Sequence, residues 1–287
     1  MNSMKNKIFI SAVIATCNRP EFLEKRSLKS IEQQTRKPDL FIIVDDSLKK
    51  FKLQNRKIVK NFSKKNDNII YLENVRTKGA SGAWNTALER IKKINSDSYI
   101  PILDDDDAWD KRYLEKCEKK IINDDIDMCI SGIIRYDDNN PDGIKKNIPN
   151  NFKVEEFLIG NPNVQGSNLF IKLEFLLIAG CFDESLISTT DRDICIRLAD
   201  INELKVGFLN EHLVHHYAIS GYPRLSERNS TKKIQGLKYF YYKYEKRMDN
   251  EQKIIFLKRA NRLFGLKEIE NKNIEHYIEQ LESLDNY

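Results

Sequence analysis

Short apolar runs alternate with segments of helical periodicity in the first hundred residues. The apolar, β-branched runs predict four strands, at Ile8 to Ala15, Leu40 to Val44, Asn68 to Leu72 and Tyr99 to Leu103. The helical segments run from Pro20 to about Gln34, from Ile58 to Lys65 and from Ser81 to Ile94. This alternation is typical of a mostly parallel sheet flanked by helices, so we predict an α/β fold.

The pattern changes after Asp110. The stretch from Asp137 to Asn151 is dense in Asn, Asp, Pro and Gly, which predicts a loop. From about residue 226, Lys and Arg are interleaved with aromatic and aliphatic residues, which predicts a basic helical extension over 226–287. Residues 1–225 then form one domain whose halves meet near residue 110. The remaining predicted elements are a helix at Tyr113 to Ile122, strands at Asp127 to Arg135 and Ser167 to Ile171, and a helix at Arg192 to Ala199.

Composition narrows the class of protein. The chain has 287 residues and a net charge of +5 with both signs mixed, so charge does not indicate a nucleic-acid partner. Five cysteines without a C-x-x-C pair favour a reduced, cytoplasmic compartment. Lys5 and Lys7 before the first apolar run imitate a secretory signal, but no small-residue cleavage site follows. No later apolar stretch approaches the roughly 20 residues of a membrane span.

Three predicted strands end in polar clusters. These are Thr16 to Arg19, Asp45 to Ser47 and Asp104 to Asp107. In an open parallel sheet, ligands bind beyond the carboxyl ends of the strands, so we expect the three clusters to form one site.

The run Asp104 to Asp107 has two interpretations. Four adjacent carboxylates repel one another, and Mg²⁺ or Mn²⁺ commonly bridges such oxygens to a phosphate. The alternative is a solvated acidic turn in which Asp107 caps a following helix. Asp45 and Asp46 likewise are either ordinary loop residues or a contact to a nucleotide base and ribose.

Three later features carry similar alternatives. Lys78 precedes a helix entered through Gly79 and Gly82, which allows close approach to a phosphate or base, although no dinucleotide or P-loop fingerprint is present. Asp191 and Asp193 are either caps of the next helix or a base for a hydroxyl. His215 and His216 are either satisfied core residues or a further metal ligand.

The order of these motifs resembles glycosyltransferase family 2, whose members have the GT-A fold and invert configuration. The matching segments are Val13 to Arg19, Ile42 to Ser47, Gly79 with Ala83 to Asn85, Tyr99 to Trp109, and Gly180 to Glu184 with Thr190 to Asp193. Together they cover about residues 8 to 220. The resemblance implies a nucleotide-binding half over about 1–110 and an acceptor-binding half over 111–225.

The resemblance also implies roles for individual residues. Asp104 and Asp106 match the D-x-D element that holds a divalent metal, with Asp106 as the direct ligand, and His216 is a further candidate ligand. Asp191 matches the catalytic base. The residues expected on the nucleotide are Thr16, Asn18, Arg19, Asp45 or Asp46, Lys78, Asp104 and Asp105.

Two positions depart from the family pattern. No Gly precedes Ser47, which affects the nucleotide loop, and Thr190 replaces the acid usually found before the base.

We therefore expect transfer of a sugar, with Mn²⁺ or Mg²⁺, from a nucleotide-sugar donor to a glycan or lipid-linked acceptor hydroxyl. UDP is the expected nucleotide. One alternative is a catalytically silent GT-A module that binds a nucleotide sugar or scaffolds polysaccharide assembly. A second is a sugar nucleotidyltransferase, which would carry a Gly-rich basic loop where Thr16 to Pro20 stand.

The C-terminal extension has its own alternatives. Ile254 to Leu257, beside Lys253, Lys258, Arg259 and Arg262, would form an apolar stripe edged by charge for peripheral contact with an anionic membrane. Otherwise the extension is a helix packed on the catalytic domain or a subunit interface.

Overall fold

The structure is a computed structural model that describes residues 7–219 and 227–284. A nine-stranded sheet dominates it, with strand order β3-β2-β1-β4-β8-β6-β9-β5 and β7 paired to β6. Its strands are β1 Phe9–Thr16, β2 Leu40–Asp45, β3 Ile69–Glu73, β4 Ser98–Asp104, β5 Ala108–Trp109, β6 Met128–Asp137, β7 Asn140–Lys145, β8 Leu169–Lys172 and β9 Val206–Tyr217. A separate short hairpin contains β10 Glu268–Ile269 and β11 Lys272–Asn273.

Helices cover both faces of this sheet. The first helical segment contains a π-helical stretch, Leu23–Leu28, between α1 and α2. The α-helices are α1 Pro20–Phe22, α2 Lys29–Glu32, α3 Lys49–Ser63, α4 Ala80–Ile94, α5 Tyr113–Asp124, α6 Val154–Ile159, α7 Leu173–Ile178, α8 Thr190–Ala199, α9 Thr231–Tyr244, α10 Asn250–Phe264 and α11 Ile274–Leu284.

The nucleotide-binding half follows the sequence pattern closely. Strands β1 to β4 agree with their predicted ranges to within one residue at each end. Strands β3, β2, β1 and β4 are parallel, and all six residues of β2 are buried, because helices cover both faces of a parallel sheet. The α/β prediction is confirmed, and the polar ends of β1, β2 and β4 lie side by side at one edge of the sheet.

Two predicted elements were wrong in extent. The stretch 137–151 contains strand β7, which forms an antiparallel hairpin with β6. Gly143 permits this hairpin because its φ is +84° and a Cβ there would lie 2.7 Å from the Tyr136 ring. Helix α3 begins at Lys49, nine residues before the predicted start at Ile58, since its polar first turns carry no apolar periodicity.

The C-terminal helices share the core of the sheet domain. Phe240 of α9 and Phe256 of α10 stack with centroids 5.9 Å apart and belong to the same buried cluster as Phe157 and Ile194. The predicted boundary between residues 225 and 226 lies outside the described residues.

The apolar stripe expected on the surface of the extension was wrong for three of its four residues. Ile254, Phe256 and Leu257 are buried against the core, and only Ile255 is exposed, at 38%. Within 7–219 and 227–284, none of the helices has the length and apolarity needed to cross a bilayer.

Candidate active site

Asn18 joins the loops that follow β1 and β2. Its φ is +58°, a conformation that Asn tolerates better than most residues. Its N–H donates to Ser47 Oγ at 2.7 Å, and its side-chain oxygen accepts the N–H of Leu48 at 2.8 Å. The two loops predicted to face the nucleotide are therefore held together by one residue.

Asp45 is fully buried and its carboxylate is enclosed by protein donors. It accepts hydrogen bonds from the Ser47 N–H at 2.8 Å, the Asn55 amide at 2.9 Å and the Tyr71 hydroxyl at 2.6 Å. The sequence left Asp45 and Asp46 as equal candidates for the base contact. Because Asp45 has no exposed surface, the structure favours Asp46.

Asp46 connects the second loop to the start of α4. Its carboxylate accepts the Asn74 amide at 2.9 Å and the N–H of Gly79 at 2.8 Å, which places the exposed Lys78 next to it. Gly79 has φ +127°, and a Cβ on Gly82 would lie 1.9 Å from the carbonyl oxygen of Thr77. Both glycines are thus needed for the shape of this loop.

The four carboxylates from the last residue of β4 onward alternate between partly exposed groups, Asp104 and Asp106, and buried anchors, Asp105 and Asp107. Asp105 is completely buried and accepts the Thr16 hydroxyl at 2.8 Å, the Cys17 N–H at 3.3 Å and an ion pair from Arg19. Asp105 was expected on the nucleotide, but its enclosed carboxylate instead fixes the first loop. Thr16, also buried, points at Asp105 for the same reason.

Asp107 is the second anchor. It accepts the Ser167 hydroxyl at 2.8 Å and the Tyr217 N–H at 3.2 Å, and it contacts His216. The alternative in which Asp107 caps a helix was wrong, because the residues after it form β5, which pairs with β9.

Asp104 and Asp106 remain at the site. The Asp106 side chain is 19% exposed and pairs with Arg19 at 2.5 Å, and Arg26 donates to its backbone carbonyl at 3.0 Å. Burial, and then the charges of Asp107 and Asp106, raise the pKa of Asp104 well above its ordinary value.

The unbalanced carboxylates fit a cation. Among the described residues, no three His, Cys, Asp or Glu side chains already stand as a ready-made metal group. Burial, and then the charges of neighbouring aspartates, raise the pKa of both Asp104 and Asp106, although Arg19 and His216 offset part of the negative charge at Asp106. A divalent ion held by carboxylate oxygens would balance the remaining negative charge.

Asp191 lies in the first turn of α8 and faces the same acidic group. Its Oδ1 accepts the N–H of Gly166 at 3.0 Å. Burial raises the pKa of Asp191 to about 6, although the hydrogen bond from Gly166 and the charge of Lys233 lower it. The first-turn position of Asp191 agrees with the alternative in which its charge complements the helix dipole, but Asp191 is not the N-cap, since that residue is Thr189 and the carboxylate binds a different segment.

A single turn, Gly166–Asn168, connects the two acidic segments. Gly166 binds Asp191, while the Ser167 hydroxyl donates to Asp107 and lies 3.2 Å from the N–H of Asp104. Sequence reasoning assigned Ser167 only to the start of a strand. No motif distinguishes this Gly-Ser pair, so its role appears only in the structure.

The two histidines face opposite sides of β9. His216 Nδ1 lies 3.1 Å from Asp107, which leaves Nε2 as the nitrogen through which it could bind a metal. Burial alone would lower the pKa of His216, but the charge of Asp107 raises it above the ordinary value. His215 Nδ1 contacts the Tyr136 hydroxyl at 2.9 Å, and burial lowers its pKa.

Asp193 attaches the C-terminal helices to the site. Its fully buried carboxylate accepts the Tyr244 hydroxyl at 2.7 Å and pairs with Lys243 at 2.6 Å and Arg197 at 2.5 Å. Sequence reasoning did not find these partners from α9, because they lie about fifty residues away along the chain.

This mixed sheet, with its acidic edge, is the fold of GT-A glycosyltransferases. The chain belongs to glycosyl transferase family 2, whose model matches residues 11–173. It is 31% identical over 256 residues to a protein of Methanocaldococcus jannaschii named as an uncharacterized glycosyltransferase, covering 86% of this chain and 82% of that one. The protein is therefore a glycosyltransferase, as the motif order indicated.

Solved structures agree on the fold. S. aureus TarS in complex with UDP-GlcNAc has a TM-score of 0.63 at 15% identity, covering 90% of this chain and 74% of that one. A second TarS structure contains a longer chain, and the match with this protein covers 44% of its length. The mannosyltransferase PcManGT of Pyrobaculum calidifontis, in complex with GDP-Man and Mn²⁺, has a TM-score of 0.59 at 14% identity, and the match covers 99% of this chain and 82% of that one. GalNAc-T7 with UDP, GalNAc and Mn²⁺ has a TM-score of 0.63 at 15% identity, and the match covers 98% of this chain and 55% of that one.

Proposed function

We propose that the protein transfers a sugar from a UDP-sugar to an acceptor hydroxyl by a single, inverting displacement assisted by a divalent cation. One observation carries this proposal most strongly. Among the described residues, the carboxylate of Asp191 has a single N–H donor; its pKa is about 6, and one turn separates it from Asp104. A base with a pKa near neutrality, close to a metal-binding pair, is what this displacement requires.

The donor would lie across the edge formed by the first two loops and α4. Asp46 and Lys78 would be the groups nearest the nucleotide base, and Asn18 would shape the pocket wall through its bonds to Ser47 and Leu48. UDP-GlcNAc accompanies TarS, UDP accompanies GalNAc-T7 and GDP-mannose accompanies PcManGT. These complexes support a nucleotide-sugar donor, with UDP as our proposed nucleotide.

Asp104 and Asp106 would hold the cation, with His216 Nε2 as a third candidate. The bound ion would act as a Lewis acid on the departing diphosphate. Arg19 pairs with Asp106 in this structure. When the donor and the cation bind, Arg19 would either move away from Asp106 or share its carboxylate with the cation. Mn²⁺ in PcManGT and GalNAc-T7 supports use of a divalent metal.

Asp191 would accept the proton of the acceptor hydroxyl as its oxygen attacks the anomeric carbon. The bond to the diphosphate breaks on the opposite face, which inverts the configuration. The N–H of Gly166 holds Oδ1 in place, leaving Oδ2 to take the proton.

A screen of nucleotide sugars for slow hydrolysis tests the proposal without an acceptor. We expect one UDP-sugar to be hydrolysed in the presence of Mn²⁺ or Mg²⁺. Binding of a nucleotide sugar with neither hydrolysis nor transfer would favour the alternative, a catalytically silent module. The presence of Asp104, Asp106 and Asp191 together speaks against that alternative.

Asp191→Asn tests the base directly. The change preserves size and the acceptor for Gly166 but removes the proton acceptor, so transfer should fall by about 10² or more while nucleotide binding changes little. The measurement is the transfer rate alongside calorimetric binding of UDP. A near-native rate would show that the base lies elsewhere; Asp193, enclosed by three donors, is a poor substitute.

We also propose a cytoplasmic location with a glycan or lipid-linked acceptor. Peripheral membrane contact would now depend on basic side chains such as Lys253 and Arg262 rather than on the buried apolar stripe. Flotation of the full chain with anionic vesicles, compared with a variant in which Lys253 and Arg262 are both replaced by Gln, measures this contact. Absence of binding at low salt would eliminate it.

A further inference from the structure

Three basic side chains from three different helices lie near Asp191. Arg192 follows Asp191 in α8, Lys233 lies in α9 and Arg259 in α10; we call these three side chains the cationic cluster. Among the described residues, Asp191 is the one carboxylate whose charge acts on any member of the cluster. The cluster thus contains three positive charges for a single negative neighbour.

Arg192 forms the buried floor of the cluster. It is only 7% exposed and donates to the carbonyl oxygens of Phe157 and Leu158, both at 2.8 Å. Its guanidinium also lies 4.2 Å from the ring centroid of Phe240. These neutral contacts hold the side chain in place without neutralising its charge.

Lys233 and Arg259, the other two members of the cluster, are held by packing contacts of α9 and α10. Helix α9 approaches the segment before α8 so closely that a Cβ on Gly236 would lie 2.1 Å from Ser188 Oγ. Lys233 Nζ lies 4.6 Å from the centroid of Phe264, and burial, then the charge of Arg192, lower the pKa of Lys233 to about 8. Arg259 packs over Gly160, where a Cβ would lie 3.6 Å from its Nε.

The cluster connects directly to the reacting edge of the site. Gly160 beneath Arg259 and Gly166 on Asp191 belong to the same short segment between α6 and β8. The charges of Arg192 and Arg259 lower the pKa of Lys233, while the charge of Asp191 raises it, and Lys233 in turn lowers the pKa of Asp191. Lys233 is therefore the member of the cluster that is coupled to the base. An anion placed on the cluster would therefore be adjacent to the group that receives the acceptor proton.

Gathering like charges in a partly buried position is unfavourable unless an anion compensates them. We propose that the cationic cluster binds an oxyanion on the acceptor, a phosphate ester or a carboxylate, and so positions the attacking hydroxyl at Asp191. This inference rests on the proposed function. The donor diphosphate would lie at Asp104 and Asp106, on the other side of the turn Gly166–Asn168, which assigns the cluster to the acceptor.

A binding measurement tests the cluster with the donor site filled. The full chain, saturated with UDP and Mn²⁺, is titrated with inorganic phosphate, acetate or neutral glycerol while its melting temperature is followed. We expect phosphate or acetate, but not glycerol, to raise the melting temperature of the wild type. Lys233→Gln and Arg259→Gln should each weaken the apparent affinity about tenfold or more, since each removes a charge-assisted contact.

Lys232→Gln is the matched control, because Lys232 is the exposed neighbour of Lys233 on the same helix. It removes the same net charge outside the cluster and should keep the wild-type response. Equal responses of all three variants, or no response of the wild type to either anion, would overturn the inference.

A kinetic arm identifies the source of the anion. Sugars are offered as neutral methyl glycosides, as 1-phosphates and as uronic acids, and kcat/KM is compared. We expect the preferred acceptor to be one of the two anionic sets and the preference to fall about tenfold in Lys233→Gln. A preference for neutral acceptors would overturn the inference alone. Failure of every nucleotide sugar to be hydrolysed or transferred would overturn the proposed function as well.

Discussion

The two acidic segments, Asp104 to Asp107 and Asp191 to Asp193, use their carboxylates in the same two ways. Asp105 and Asp193 are fully buried, and each is enclosed by several protein donors. Within the described residues, Asp191 has one N–H donor, and the carboxylate of Asp104 has none. The number of donors therefore separates carboxylates that hold the fold from those free to bind a metal or accept a proton.

Metal removal should have the largest effect on this comparison. If Asp104 and Asp106 hold a cation against the diphosphate, excess chelator should lower hydrolysis and transfer by about 10³ or more, since the metal supplies several kcal/mol. Added Mn²⁺ or Mg²⁺ should restore the rate. Asp106→Asn should show a similar loss with an unchanged melting temperature. Full activity in excess chelator would remove the metal from the mechanism.

Removing an anchor should cost stability instead. Asp193→Ala leaves Lys243 and Arg197 without their buried partner, so we expect the free energy of unfolding to fall by about 3 kcal/mol or more. Urea unfolding of the variant and the wild type measures this difference. An unchanged midpoint would mean that the C-terminal helices dock without Asp193.

The pH dependence tests the state of Asp191. Its carboxylate must be ionised to accept a proton, so kcat/KM should rise about tenfold per pH unit below the pKa of about 6 and level off above it. Because this pKa is raised above the unfolded value of 3.8, the native state binds more protons between these values, and the contribution of Asp191 to stability falls as pH rises. A flat profile between pH 5 and 7, or an unchanged acidic limb in Asp191→Asn, would contradict this assignment.

Tyr244→Phe should have the smallest effect. It removes one hydroxyl from Asp193 and keeps both ion pairs, so the expected loss is about 1 kcal/mol in unfolding free energy with normal transfer. The same urea measurement detects it. A loss as large as that of Asp193→Ala would show that the hydroxyl, not the charges, holds α9 to α8.

The parallel half of the sheet was predictable because burial on both faces leaves continuous apolar runs, as in β2. The polar ends of β1, β2 and β4 could be located for the same reason. Hairpin β6–β7 was missed because its second strand consists of turn-forming residues around Gly143. The prediction of a loop relied on local composition, whereas in the structure hydrogen bonding to β6 makes this segment a strand.

The sequence does not indicate which carboxylates of each acidic segment are buried anchors and which belong to the candidate site. Asp104 and Asp105 are chemically identical neighbours, and only the direction of each side chain separates a site group from an anchor. The partners of Asp193 and the cationic cluster come from helices that motif order does not connect to α8. Long-range contacts of this kind leave no periodicity in the chain.

The turn Gly166–Asn168 has a mechanical consequence. Adjacent Cα atoms are separated by about 3.8 Å across a trans peptide, a length that hardly varies. In the proposed mechanism, Gly166 would be tied to the proton acceptor Asp191 and Ser167 to the acidic run on the leaving-group side, so one peptide unit would set the spacing between the incoming oxygen and the bond that breaks. Thermal motion that displaces this turn would then shift both ends of the reaction path together and preserve the alignment between them.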